Sequence, residues 1–193
     1  MQPPLLVRDL ACARGERLLF RGLSFALDEG EALQVIGANG TGKSSLLRIV
    51  AGLLHPFAGS VERRVAASLT DDRLPLDEHL PLGSAFAVWH RLGAGHYAGD
   101  ALATVGLGGL ADVPVRFLST GQRKRAALLL TIASDARLWM LDEPLNGLDT
   151  AGGELLLRAV EAFRARGGMA IVASHQPLAL PDLRTLDLAE FAA

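Results

Sequence analysis

The sequence predicts an α/β fold with a mixed core sheet, an N-terminal antiparallel β subdomain and a small α-helical subdomain. Three observations carry that expectation. Gly37-Ala-Asn39-Gly40-Thr-Gly42-Lys43-Ser44 meets the pattern G-x-x-x-x-G-K-[ST] at every fixed position. The apolar run 32–36 before it reads as a buried strand and 45–51 after it as an amphipathic helix, the setting this phosphate loop needs. Further on, four apolar residues, Leu138-Trp-Met-Leu141, run into Asp142, Glu143 and Pro144, as when a buried parallel strand delivers acids to its carboxyl end. Lastly, helical and extended patterns alternate over 119–173, which implies right-handed parallel crossovers.

In chain order, 5–13 and 23–27 read as strands of an antiparallel sheet, and Asp28-Glu-Gly30 as a turn into the phosphate-loop strand. Residues 60–69 alternate enough for one or two more strands. From about 80 to 111 the pattern turns helical and rich in glycine and alanine, opening a helical subdomain placed at about 80–133. Residues 150–166 form a helix between two core strands, the second of them 169–173, and 183–188 can add a final strand. The whole, 1–193, is expected to be one domain, without repeats, low-complexity tracts or long linkers.

The phosphate loop carries the first chemistry. Gly37, Gly40 and Gly42 allow backbone conformations closed to other residues, so that successive N–H groups turn inward on a polyanion. Asn39 and Ser45 lie within or beside that cradle, which ends at a helix N-terminus, where unpaired N–H groups favour negative charge. Lys43 is expected to reach the β- and γ-phosphates, and the Ser44 hydroxyl to ligate Mg²⁺. Asp142 would hold Mg²⁺ through water, and Glu143 would polarise the water that attacks the γ-phosphate. A glycine-rich turn and a surface Asp-Glu-Pro turn are the plainer readings; the two motifs together weigh against both.

Leu118-Ser119-Thr120-Gly121-Gln122 opens a further helix with Ser119 as N-cap, another anion-binding end. This stretch resembles the signature LSGGQ of ABC-type ATPases, with Thr120 where glycine is usual. The resemblance implies a P-loop NTPase of the ABC branch, in which two copies sandwich ATP and Mg²⁺. Ser119, Gly121 and Gln122 would then act on the nucleotide held by the other subunit. Leu145-Asn-Gly-Leu-Asp149 is similar to the D-loop of that family, with Asp149 helping to position the opposite site. His175, after the strand 169–173, resembles the switch histidine that contacts the γ-phosphate. His55, His79, His90 and His96 match nothing and read as packed or solvated.

Two departures from the ABC pattern stand out. Arg14 occupies the position that usually stacks an aromatic ring on adenine, and its guanidinium plane could stack instead. The usual glutamine near residue 70 is replaced by Asp71 and Asp72, either of which could hold Mg²⁺-bound water, or form a solvated acidic loop. Residues 10–25, Ser174-His-Gln-Pro-Leu178 and the short chain resemble the ATP-binding subunits of the haem exporter of cytochrome c biogenesis. That resemblance implies a homodimer bound to an integral membrane permease and small membrane subunits on the cytoplasmic face of the bacterial inner membrane, driving haem export or release from a haem chaperone. The surface at 71–90 would meet the permease. Trp89 is a candidate contact there, core packing being the plainer reading.

Composition narrows the alternatives. Half of the 193 residues are hydrophobic, yet no stretch approaches the roughly twenty uninterrupted apolar residues of a membrane span. The N-terminus lacks the layout of a signal peptide, and the single cysteine, Cys12, excludes an internal disulfide, which suits a reducing cytoplasm. No C-x-x-C-H motif occurs, so direct haem binding is not expected. A net charge of −2 and only a short basic run, Arg123-Lys-Arg125, argue against nucleic acid as a partner, and so against an ABC ATPase acting on DNA or ribosomes. Export of another small cargo is the closer rival.

Overall fold

The computed structural model describes residues 2–92 and 100–192. Its first layer is an antiparallel sheet of order β2-β1-β4, built from β1 (Leu5–Arg14), β2 (Arg17–Leu27) and β4 (Ala58–Arg63). A two-residue turn at Gly15-Glu16 joins β1 to β2, with Gly15 at φ +59° and Arg14 paired with Arg17. The sequence reading began the second strand at residue 23; the polar alternation of Arg17, Arg21 and Gly22 hid its first half. At the bulge on β1 the chains nearly touch: a Cβ on Gly59 would stand 2.4 Å from the Asp9 carbonyl oxygen, so only glycine fits.

The second layer is a five-stranded sheet of order β5-β6-β7-β3-β8. It comprises β3 (Ala32–Ile36), β5 (Ala67–Thr70), β6 (Leu138–Asp142), β7 (Met169–Ala173) and β8 (Leu183–Asp187). Every neighbouring pair in it is parallel. A mixed core sheet was expected. Instead, the antiparallel pairing is confined to the first layer, because β1, β2 and β4 form their own ladder.

Alternation along β6 shows how the layers are held. Leu138 and Met140 join the cluster under the antiparallel sheet and α1 (Lys43–Val50), with Leu5, Phe20, Leu46 and Ile171. Trp139 and Leu141 face the other way, onto α5 (Thr150–Ala165), with Leu156, Val160 and Phe163. Successive side chains of a strand point to opposite faces, so a strand apolar throughout is covered on both. Removing a large side chain here, such as Trp139, would cost about 3–5 kcal/mol.

A third cluster joins α2 (Leu82–Arg91), the short α3 (Ala101–Thr104) and α4 (Thr120–Ala133) around Leu82, Phe86, Leu102 and Leu129. The helical reading of 80–111 meets α2, α3 and a 3-10 turn at Gly108–Leu110, while His96 lies outside the described residues. Among the described residues no helix is long and apolar enough to cross a membrane.

Register then sets the site. Ala173 at the end of β7 is paired on one side with Val35 of β3 and on the other with Asp142 of β6. Three strands therefore end level and side by side, and the loops that leave them begin at one edge.

Candidate functional site

At that edge the phosphate loop turns into α1. The helix is entered through Gly42 at φ +110°, and a Cβ there would meet the Phe20 ring at 3.0 Å. A Cβ on Gly37, at φ +147°, would lie 2.8 Å from the Thr41 hydroxyl. Both positions need glycine for space as well as for conformation. Lys43, 6% exposed, donates from Nζ to the carbonyl oxygens of Gly37 (2.8 Å) and Ala38 (3.4 Å) and lies 3.5 Å from Glu143 Oε1.

Glu143 follows β6 with φ +45°, a left-handed conformation that costs a non-glycine residue about 1–2 kcal/mol. Its N–H donates to the Ala173 carbonyl (2.8 Å), which pins the turn to the end of β7. The carboxylate is thereby aimed between Lys43 and His175, whose Nδ1 lies 2.9 Å from Glu143 Oε2. Strain held by the surrounding structure is found where geometry serves function.

The Ser44 hydroxyl lies beside the Asp142 carboxyl. Burial pushes that carboxyl above the ordinary carboxylate range, the neighbouring Ser44 hydroxyl opposes this, and the Asp72 and Glu143 charges add to it. Asp142 Oδ1 is buried with no hydrogen-bond partner among the described residues. An orphaned carboxylate oxygen beside a hydroxyl is a hard-oxygen donor set that fits Mg²⁺, which keeps several waters and needs few protein ligands.

A cavity of about 400 Å³ lies over this loop. It is lined by Asn39, Gly40, Gly42, Lys43, Ser44, Ser45, Glu143 and Arg14, all expected, and by Arg17 and Leu19, which were not. Arg17 faces Arg14 across the hairpin, and the Gly15-Glu16 turn was the signal that could have found it. Ser45 is buried beside the Cys12 thiol, whose pKa is raised chiefly by burial.

Of the two acids in the loop after β5, Asp71 is paired with Arg48 (3.1 Å) and accepts from the Arg73 N–H (2.9 Å). Asp72 is the one whose charge is felt at Asp142, and it is paired with Lys124 of α4 at 2.7 Å.

A second cavity, of about 430 Å³, shares no residue with the first. It collects Ser119, Gly121, Gln122 and Asp149 together with Gly106, Leu107, Arg125 and Gly147. Ser119 and Gln122 close a capping box at the start of α4: Ser119 Oγ accepts from the Gln122 N–H (3.3 Å) and Gln122 Oε1 from the Ser119 N–H (2.8 Å). The Gln122 amide oxygen is therefore spent on the helix. Asp149 caps α5 by accepting from the Gly152 N–H (2.9 Å) and pairs with Arg125 at 2.6 Å. Those bonds, Arg125 first, hold its carboxyl below the ordinary range.

Arg125 stands four residues after Gly121 on one face of α4, a helical spacing that would have marked it. The substitution at Thr120 is accommodated by a glycine: its methyl lies 3.0 Å from where a Gly147 Cβ would be. The basic run of α4 is divided among three acids, Arg123 with Glu78 (3.0 Å), Lys124 with Asp72 and Arg125 with Asp149.

Residues 20–146 match the ABC transporter family model. The chain is 57% identical to the cytochrome c biogenesis ATP-binding export protein CcmA of Novosphingobium aromaticivorans, over 97% of this chain and 96% of that one. Its fold is similar to an ABC transporter ATP-binding protein from Pyrococcus furiosus, with a TM-score of 0.84 and 20% identity over 98% of this chain and 99% of that one. It is also similar to a dimeric ATP-binding cassette bound to ADP and phosphate after hydrolysis, with a TM-score of 0.77 and 20% identity over 89% and 88% of the two chains. The chain therefore belongs to the ABC transporter family and, within it, to the CcmA-type ATP-binding proteins of cytochrome c biogenesis.

Proposed function

We propose that two copies of this chain hydrolyse ATP between them and thereby power haem export, or release of haem from its chaperone, in c-type cytochrome biogenesis. The observation that carries the reading is the separation of two half-sites. Phosphate-binding groups line one cavity, the signature and Asp149 line another, and neither cavity contains the other's residues. A two-fold arrangement would bring each half against its complement, making ATP part of the interface.

In this mechanism the phosphate-loop N–H groups and the α1 N-terminus bind the phosphates, and Lys43 exchanges its carbonyl partners for phosphate oxygens. Ser44 and Asp142 would hold Mg²⁺, which when bound neutralises charge on the β- and γ-phosphates. Glu143 accepts a proton from the attacking water, and His175, hydrogen-bonded to it, orients the carboxylate and meets the γ-phosphate. Ser119, with the Gly121 N–H, contacts the γ-phosphate of the partner's nucleotide. Loss of that phosphate removes these contacts and reopens the pair.

On this reading the cytoplasmic helix of a membrane permease would dock at a groove of about 460 Å³ between the core sheet and the helical layer. Its walls are largely apolar, with Leu53 70% exposed at the rim. Trp89 lines it while donating from Nε1 to the Pro75 carbonyl (2.7 Å), so it serves both packing and the groove. On this reading the chain sits peripherally on the cytoplasmic face of the bacterial inner membrane, with small membrane subunits beside the permease. It supplies energy without touching haem.

Glu143→Gln tests the central claim. Hydrolysis should fall by about two to three orders of magnitude while ATP still binds, and ATP should trap the variant as a dimer in size-exclusion chromatography. A turnover rate within a few-fold of the parent, or a saturated variant that stays monomeric, would contradict it.

A further inference from the structure

Strand β3 carries one residue out of keeping with its burial. Ala32, Leu33 and Val35 are buried apolar side chains, and Gln34 among them is only 5% exposed. A buried amide costs free energy unless its hydrogen bonds are met, and a glutamine brings two N–H donors. Both go to one place. Gln34 Nε2 donates to the carbonyl of Gln176 (2.7 Å) and to that of Ser174 (3.4 Å), the residues on either side of His175. Register permits the reach. Gln34 is paired with Val172 of β7, and Ser174 and Gln176 follow two and four positions later, where the chain leaves that strand.

The segment so held has few other anchors. Residues 174–177 adopt no helix or strand, and His175, Gln176 and Pro177 are exposed. The Ser174 N–H donates to the Val35 carbonyl (3.1 Å), the Gln176 N–H to Ser174 Oγ (3.0 Å) and Gln176 Nε2 to Asn146 Oδ1 (3.4 Å). Among the described residues the imidazole itself is bonded to Glu143 alone. An exposed side chain has several staggered rotamers open to it, so where the imidazole stands depends on the backbone that carries it. Gln34 grips that backbone on both sides from a strand paired on both edges, between β7 and β8. The same strand runs three residues on into Gly37, so one rigid element fixes the His175 backbone relative to the phosphate loop.

We propose that Gln34 is a positioning residue for hydrolysis: its amide clamps the backbone on both sides of His175 and so sets the imidazole at Glu143, in register with the phosphate loop. The inference rests on the role given above to His175 and adds the group that holds the imidazole in place.

The test compares kcat and ATP affinity of the full chain with Mg²⁺ in Gln34→Met, His175→Ala and the double variant. Methionine keeps the length and approximate volume of the side chain and removes both donors. Gln34→Met should lose at least about fivefold in kcat while its ATP dissociation constant stays within about threefold of the parent's. Because the clamp acts through the imidazole, the double variant should turn over within about twofold of His175→Ala; independent losses would instead multiply. Gln34→Asn keeps the amide but withdraws it by one methylene. It should show the same split between kcat and affinity, and it takes the place of Gln34→Met throughout if that variant does not fold. A Gln34 variant that loses less than fivefold in kcat overturns the proposal and leaves the His175 reading standing. So does an ATP affinity that falls along with kcat, or a double variant more than twofold below His175→Ala. If His175→Ala itself loses less than fivefold, the His175 reading falls and this one with it.

Discussion

One functional acid stands beside Ser44 of the phosphate loop and another lines the signature cavity, and the fold treats the two in opposite ways. Asp142, beside the phosphate loop, is half-buried, keeps one buried oxygen unpartnered among the described residues and has its pKa raised. Asp149, beside the signature, is satisfied by Arg125 and the Gly152 N–H and has its pKa lowered. Charge at Asp142 is thus held at a cost to the folded chain, whereas at Asp149 it adds to stability. The difference teaches a division of labour. The phosphate-loop side is organised around a ligand that supplies what the chain lacks. The signature side is closed by its own bonds and, on the proposed mechanism, would present a finished surface to a second copy.

The strongest way to break this comparison is to disable one cavity at a time. Lys43→Ala removes the cation that the phosphates need, and its binding of ATP should fall at least a hundredfold in equilibrium titration, about 2.8 kcal/mol by the tenfold-per-1.4 kcal/mol relation. Ser119→Arg places a long cation in the other cavity and leaves the phosphate loop untouched. It should bind ATP within threefold of the parent, remain monomeric and turn over at less than a hundredth of the parent rate. If Ser119→Arg lost ATP binding as Lys43→Ala does, the two cavities would form one site within one chain, contrary to the proposed division.

A second variant sharpens the same contrast through stability. Because the folded pKa of Asp142 lies above its unfolded value, ionisation opposes folding as pH rises through that interval, and the penalty is complete above the folded pKa. Asp142→Asn keeps an acceptor for the Ser44 hydroxyl and removes the charge. At pH 7 without nucleotide its Tm should rise above the parent's, while Mg²⁺-dependent hydrolysis falls at least a hundredfold. A Tm below that of the parent would mean that the buried charge is already compensated, and the argument from cost would fail.

How much of this was legible in the sequence depended on whether a site is contiguous. Gly37 to Ser44 is one loop between a strand and a helix, so its glycines, lysine and hydroxyl could be read as one cluster. Asp142 and Glu143 were legible for the same reason, as the end of an apolar run. Arg17 was not, since it reaches the cavity only through hairpin register. Nor were Gly106 and Leu107, which tertiary packing of α3 brings to the signature. Asp71 and Asp72 could not be separated in sequence, because the pairing with Arg48 or Lys124 that distinguishes them arises 23 and 52 residues away. The mixed sheet was misjudged because strand patterns show period and burial, and pairing direction is decided by which strands meet.

The smallest expected effect belongs to the second acid and has the opposite sign. Asp149→Asn keeps a side-chain oxygen for the Gly152 N–H and removes the charge that Arg125 grips. A carboxylate with a lowered folded pKa contributes stability that is present above its unfolded pKa, near 3.9, and is lost as pH falls through the folded value. At pH 7 the variant should melt a degree or two below the parent, on the order of a surface pair's worth. The gap should begin to close as pH falls below about 4 and vanish only below the folded pKa, where the parent carboxyl is uncharged in both states. Thermal melts of parent and variant across pH 3–7 read this directly. A gap that stayed constant with pH would assign Asp149's contribution to capping α5 and leave the Arg125 pair without a role in stability, so that the signature cavity would no longer differ from the phosphate-loop cavity in the way its charge is held.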